Sequence, residues 1–178
     1  MATEQNGREV VSGDDLSYMQ LALAQARLAP QLPTNFCVGA VLVDASTNSI
    51  IATGHTMELE GNTHAEQCCF IKVARAYGID EADIAPYLPT HTALYTTMEP
   101  CNKRSPGNMT CVDRILRYGS GIKTVYVGVL EPETFVGLNE GRQRLIDAGI
   151  KVEQVKGMED EILLVSTAGH ERKTKDVS

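Results

Sequence analysis

A chain of 178 residues, 43% hydrophobic and 22% charged, is long enough to bury a substantial core as one globular domain without disulfide support. Its formal charge of -7 argues against a broad nucleic-acid-binding face, because non-specific affinity for a phosphate backbone comes from Lys and Arg. No apolar run near either end suits a signal peptide or membrane span, and MATEQNGREVVSGDD is polar and acidic, so a soluble, cytoplasmic protein is expected.

In chain order, residues 1–12 read as a polar arm, 13–169 as the domain and 170–178 as a polar tail, in which HERKTK is solvated charge. DDLSYMQLALAQARLA predicts a helix, acidic in its first turn and stopped by Pro30. CVGAVLVD and SIIATGH read as strands joined by a hairpin at ASTN. A helix is expected from Thr63 to about Tyr77, ended by Gly78, with a proline-punctuated connection beyond it. TALYTTM reads as a buried strand running into Glu99, Pro100 and Cys101, and TCVDRILRYG as a short helix with Cys111 in its first turn. The strand KTVYVGVL and the loop EPETFVG follow. NEGRQRLIDAG predicts a helix, IKVEQV a strand, and residues from about Met158 to Ala168 a last helix. Strands alternating with helices after an opening hairpin predict a three-layer α/β/α domain with a mixed five-stranded sheet.

Five cysteines, an odd number without a secretory signal, point to reduced thiols rather than a disulfide framework. Cys37, Cys68 and Cys69 lie in apolar runs and read as core, whereas Cys101 and Cys111 flank the polar loop NKRSPGNMT. In GNTHAEQCC, Thr63 and Glu66 have the spacing of a capping box, in which the Thr63 hydroxyl accepts from the Glu66 amide and the glutamate reaches back. The competing reading gives Glu66 a chemical role. If the two helix N-termini pack side by side, they bring together the His64 imidazole and the sulfurs of Cys101 and Cys111, with Glu66 beside them. Three such donors suit a catalytic Zn2+ site, which leaves its fourth position to water. The positive ends of the helices also favour thiolates.

The order H-A-E, then E-P-C, then a cysteine opening the next helix resembles the zinc-dependent cytidine deaminase superfamily, whose signature is H-x-E followed by P-C-x-x-C. The spacing departs from that signature, with nine residues rather than two between Cys101 and Cys111. This long loop, together with NFCVGAVLV and LYTTMEPC, is similar to the pyrimidine deaminases of riboflavin biosynthesis. GNTHAEQC, TTMEPC and VYVGVLEPETFV resemble the fungal-type branch, over residues from about 15 to 165, and no reductase domain follows as it does in the bacterial bifunctional proteins.

The resemblance implies hydrolytic removal of the C2 amino group of 2,5-diamino-6-ribitylamino-4(3H)-pyrimidinone 5'-phosphate, with zinc on His64, Cys101 and Cys111, Glu66 as proton shuttle, and a homodimer. Asn35 matches the asparagine of the N-P-x-V-G element, with Phe36 in place of proline; it reads as a ring contact or as a turn residue. Lys103 and Arg104 offer cations to a phosphate, or surface charge; Asn62 reads as a contact to ribityl or base, or as a turn. His55 reads as structural or surface, and Phe135 as a pocket wall or core anchor. A tRNA adenosine deaminase would be expected to show the short cysteine spacing and a basic face, and a free-nucleoside deaminase would lack the riboflavin-type segments. A non-catalytic zinc-stabilised interaction domain would use four protein ligands.

Overall fold

The structure, a computed structural model, describes residues 14–130 and 140–170. Phe135 and the rest of EPETFVG, the arm 1–12 and residues 171–178 of the tail lie outside the described residues. Helix α1 (Asp15–Ala26) begins where the Asp14 carboxylate accepts from the Leu16 amide at 3.0 Å. It ends before Pro30, contrary to the expected stop at the proline. The amides of Leu28 and Ala29 bond to the carbonyls of Gln25 and Ala26, tightening the chain into turns ahead of the restricted residue that precedes a proline.

Strands β1 (Gly39–Asp44) and β2 (Ser49–His55) form the expected hairpin. Helix α2 (Ala65–Tyr77) ends on Gly78, whose φ of 65° is the left-handed geometry that glycine adopts without penalty. Next come β3 (Thr92–Met98), α3 (Cys111–Arg117), β4 (Ile122–Val129), α4 (Glu140–Asp147), β5 (Lys151–Gln154) and α5 (Glu159–Ser166). The five strands lie in the order β2-β1-β3-β4-β5, with β1 antiparallel to β2 and β3, and β3, β4 and β5 parallel. The mixed sheet of the sequence reading is present. Among the described residues no helix is long and apolar enough to cross a membrane.

Strand alternation assigns the layers. Ala40, Leu42, Leu94, Val125 and Val127 share one core with Phe70 of α2, Ile115 of α3 and Leu145 of α4. Val41, Val43, Ala93 and Tyr95 face the other way, into a core with Met19 and Leu23 of α1 and Ile162 of α5. Each fully buried side chain of this size contributes roughly 1.5–3 kcal/mol. Cys37, Cys68 and Cys69 are buried, as expected of core thiols, and burial pushes the Cys69 thiol well above its ordinary range.

The pairing also decides where the loops gather. Ala40 lies opposite Thr96 and His55 opposite Gly39, so the segments before β1, after β2 and after β3 all meet at the carboxyl end of β3. Gly39 is pressed against α1: a Cβ there would lie 1.8 Å from the Ala22 carbonyl oxygen and 2.5 Å from the Ala26 nitrogen, backbone atoms that yield only if the helix moves. Gly39→Ala is therefore expected to destabilise the fold by about 1–3 kcal/mol, the scale of overpacking, seen as a lower urea midpoint. An unchanged midpoint would contradict so close a contact of helix and strand.

Candidate active site

The start of α2 differs from the capping box expected of Thr63 and Glu66. His64 is the cap residue, and its amide donates to the side chain of Gln67 at 3.3 Å. The Thr63 hydroxyl instead donates to the Leu59 carbonyl at 3.0 Å, while the Thr63 carbonyl accepts from the Met57 amide at 2.7 Å. Closure of the 57–63 loop thus takes both groups of Thr63 and moves the cap one residue along. Glu66 becomes the second helical residue, free of capping, with its side chain directed at the sheet.

Helix α3 supplies the facing end. Thr110 caps it by accepting from the Asp113 amide at 3.0 Å, which places Cys111 as the first helical residue. The Cys111 amide donates to Cys101 Sγ at 3.3 Å and the Val112 amide to the Cys101 carbonyl at 3.1 Å, so the unpaired amides of the helix start are aimed at Cys101. His64 Nδ1 lies 3.4 Å from Cys101 Sγ and 3.5 Å from Cys111 Sγ. All three donor atoms fall within 4.8 Å of one another, and among the described residues this is the one such group of His, Cys, Asp or Glu able to hold a metal ion.

The donor set fits zinc. A tetrahedral centre with Zn–N of about 2.0–2.1 Å and Zn–S of about 2.3 Å separates nitrogen from sulfur by roughly 3.5 Å. The hydrogen bond from the Cys111 thiol lowers the Cys101 pKa to about 4, with His64 and the Cys111 amide adding to the effect. The same bond, then burial, pushes Cys111 well above its usual value. One sulfur thus leans towards thiolate and the other towards thiol, the form that a bound cation would deprotonate.

Glu66 is 3% exposed, and burial foremost, then the Cys101 charge, holds its carboxyl above the ordinary range. Its Oε2 lies 3.5 Å from Cys111 Sγ, and its Oε1 lies 3.1 Å from the Thr96 hydroxyl.

The remaining residues singled out in the sequence occupy the rim. Arg104 donates to the Asn62 carbonyl at 2.6 Å, to Gln67 Oε1 at 3.2 Å and to the Met109 carbonyl at 3.3 Å, so it braces the inter-cysteine loop against the start of α2. Asn102 is held by Arg144 at 2.8 Å. Lys103, between these two anchored neighbours, is exposed, as is Asn62. The Asn35 side chain donates to the Pro30 carbonyl at 3.1 Å and accepts from the Leu32 amide at 3.1 Å, the contacts of a turn asparagine, and its amide nitrogen is also 3.9 Å from Met57 Sδ. His55 is partly buried, its Nδ1 has no hydrogen-bond partner, and burial lowers its pKa; it stands outside the donor group.

Residues 12–129 match the model of the cytidine and deoxycytidylate deaminase zinc-binding region. The chain belongs to this deaminase family. It is similar to the diaminohydroxyphosphoribosylamino-pyrimidine deaminase of Schizosaccharomyces pombe, with 37% identity over 153 residues, 86% of this chain; the chain spans 35% of that relative's length. It superposes on the Aspergillus oryzae Rib2 deaminase, a C-terminal deletion mutant at pH 4.6, with a TM-score of 0.81 and 44% identity, covering 92% of this chain and 96% of that one. The same fungal deaminase in complex with DARIPP gives a TM-score of 0.80 at 42% identity, covering 92% and 95%.

Three supports of this deaminase-family site escape sequence reasoning. Gln67 links the His64 amide to Arg104, and its only local signal is the three-residue spacing from His64. Thr96 is a polar residue in a strand position that is otherwise apolar, which marks it without naming its partner. Glu99 accepts a two-pronged contact from Arg142, at 2.7 and 3.1 Å, and fastens the turn before Cys101 to α4; no short-range pattern joins residues so far apart.

Proposed function

We propose that this chain is a zinc-dependent pyrimidine deaminase of riboflavin biosynthesis, hydrolysing the C2 amino group of 2,5-diamino-6-ribitylamino-4(3H)-pyrimidinone 5'-phosphate and releasing ammonia. The observation that carries the reading is a buried Glu66 carboxyl set against a three-donor His64, Cys101 and Cys111 group. The fungal deaminases to which the chain is similar, one of them described in complex with DARIPP, support the substrate class. Among the described residues, three donors rather than four favour an enzyme over a structural zinc module.

Bound to these donors, zinc supplies an acidified water, its pKa brought towards neutrality. Glu66 takes a proton from the attacking water and passes it to a ring nitrogen as the C–O bond forms. It then carries a proton to the amino group as the C–N bond breaks, so that ammonia leaves and the carbonyl remains. A carboxyl held above its ordinary range by burial is suited to both accepting and returning a proton.

Arg104, anchored on Asn62, Gln67 and Met109, serves as the loop brace, and the phosphate is assigned to the exposed Lys103. Asn62 faces the ribityl chain. Asn35 contributes to ring recognition through the amide edge beside Met57, its other contacts holding the turn. The reading takes the protein as a cytoplasmic homodimer.

The test is ammonia release from the phosphorylated ribitylamino-pyrimidinone beside cytidine and an adenosine-containing tRNA hairpin; turnover confined to either of the latter would overturn the assignment. Lys103→Ala is expected to narrow the preference for the phosphorylated over the dephosphorylated substrate by roughly 1.5–3 kcal/mol, the worth of a charge-assisted hydrogen bond. The ratio of kcat/KM values for the two forms measures it, and an unchanged ratio would remove Lys103 as the phosphate reader.

A further inference from the structure

Thr96 lies on β3 with its side chain on the α2 side of the sheet, the side taken by Leu94 two residues earlier. It is fully buried, in a layer where the neighbouring strands present Ala40, Val125 and Val127. A buried hydroxyl at such a position needs partners, and Thr96 has two. Its oxygen is 2.9 Å from the Met98 carbonyl and 3.1 Å from Glu66 Oε1. Met98 closes β3, three residues before Cys101, so one hydroxyl ties the end of the strand that leads to a metal donor to the carboxyl that works beside it. The other carboxyl oxygen, Oε2, faces Cys111 Sγ at 3.5 Å. The carboxyl group is therefore held with one oxygen on the sheet and the other towards the donor group.

We propose that Thr96 is a positioning residue that sets the orientation of Glu66, anchoring Oε1 so that Oε2 is the oxygen presented to the reacting water. The role rests on the deaminase reading, since it concerns the proton shuttle of that reaction, but the orientation itself is a property of the protein. Valine in place of threonine keeps shape and β-branching and removes only the hydroxyl; serine keeps the hydroxyl and loses a methyl.

In the zinc-loaded protein, Thr96→Val is expected to lower kcat about tenfold with KM within about twofold, the pattern of an interaction made in the transition state. Thr96→Ser is expected to restore kcat to within about threefold of the parent, with zinc content the same in both. Wild-type kcat in Thr96→Val, an equal loss in Thr96→Ser, or an effect confined to KM would each overturn the role. The crystal structure of the zinc-loaded valine variant, or of Thr96→Ala should valine not fold, gives a readout independent of turnover. Glu66 is expected to lose its single carboxyl orientation there. A carboxyl unmoved from its place beside Cys111 overturns the proposal whatever the substrate proves to be, whereas a parent enzyme that fails to turn over the pyrimidinone counts against the deaminase reading alone.

Discussion

Glu66→Gln is expected to keep the fold and bind zinc while turnover falls at least about a hundredfold, the usual scale of general acid–base work. Glutamine preserves side-chain length and can still meet the Thr96 hydroxyl, but it cannot take up and return a proton. The helix start does not depend on the carboxylate, because Gln67 rather than Glu66 completes the cap at His64. Loss of activity should therefore come without loss of stability.

Burial raises the Glu66 pKa in the folded chain above its unfolded value. Below the unfolded pKa of about 4.3 the carboxyl is neutral in both states and adds no penalty; above it the folded state is disfavoured progressively, until the pH passes the folded pKa. Metal-free Glu66→Gln is thus expected to melt at least as high as the parent at neutral pH, the gap closing as the pH falls towards about 4. Near-normal turnover would remove the shuttle role, and a lower neutral-pH midpoint would return the carboxylate to a structural one.

Cys111→Ser is expected to abolish zinc retention and, with it, all measurable deamination. Cys111 is fully buried between His64 and Glu66, where a serine oxygen is a poorer zinc donor than a thiolate and cannot be replaced by a ligand from solvent. Cys37→Ser provides the control, since Cys37 is buried against the carbonyls of Ala29 and Pro30, in a different part of the fold. The sulfur pair also predicts a proton count. Cys101 is held below and Cys111 above the ordinary thiol range, so zinc loading at neutral pH is expected to release a proton from the pair. Titration calorimetry in buffers of different ionisation enthalpy reads that number, with elemental analysis reading the metal. Full zinc retention in Cys111→Ser would falsify the ligand assignment.

Local pattern carries much of this molecule. The β-rich runs 37–44, 49–55 and 92–98, the glycine that ends α2 and the threonine that opens α3 are each written within a few residues, and each lies where its pattern puts it save that the first strand begins at Gly39 rather than Cys37. The start of α2 was legible only to within one residue. The sequence puts the cap at Thr63, and the cap moves to His64 because the turn in which Met57, with a φ of 59°, closes on Thr63 takes that residue's groups. Arg104 illustrates the same limit: its charge is visible in the sequence, but whether it faces solvent, a phosphate or the Asn62 carbonyl depends on where a segment 42 residues away is laid.

The sequence alone determined the kinds of atoms available, an imidazole, two sulfurs outside the apolar runs and a carboxyl two residues from the histidine, because donor chemistry is a property of the residue, while the start of the helix that carries His64 and Glu66 was legible to within one residue. Only the tertiary structure decided their arrangement. The antiparallel register of β1 on β3, the parallel crossover through α3 and the Thr96 hydroxyl under Glu66 join residues 30 to 56 positions apart. Such contacts form when strand pairing and close packing leave a buried polar group a single set of partners, and that constraint acts between elements, where no short stretch of chain records it.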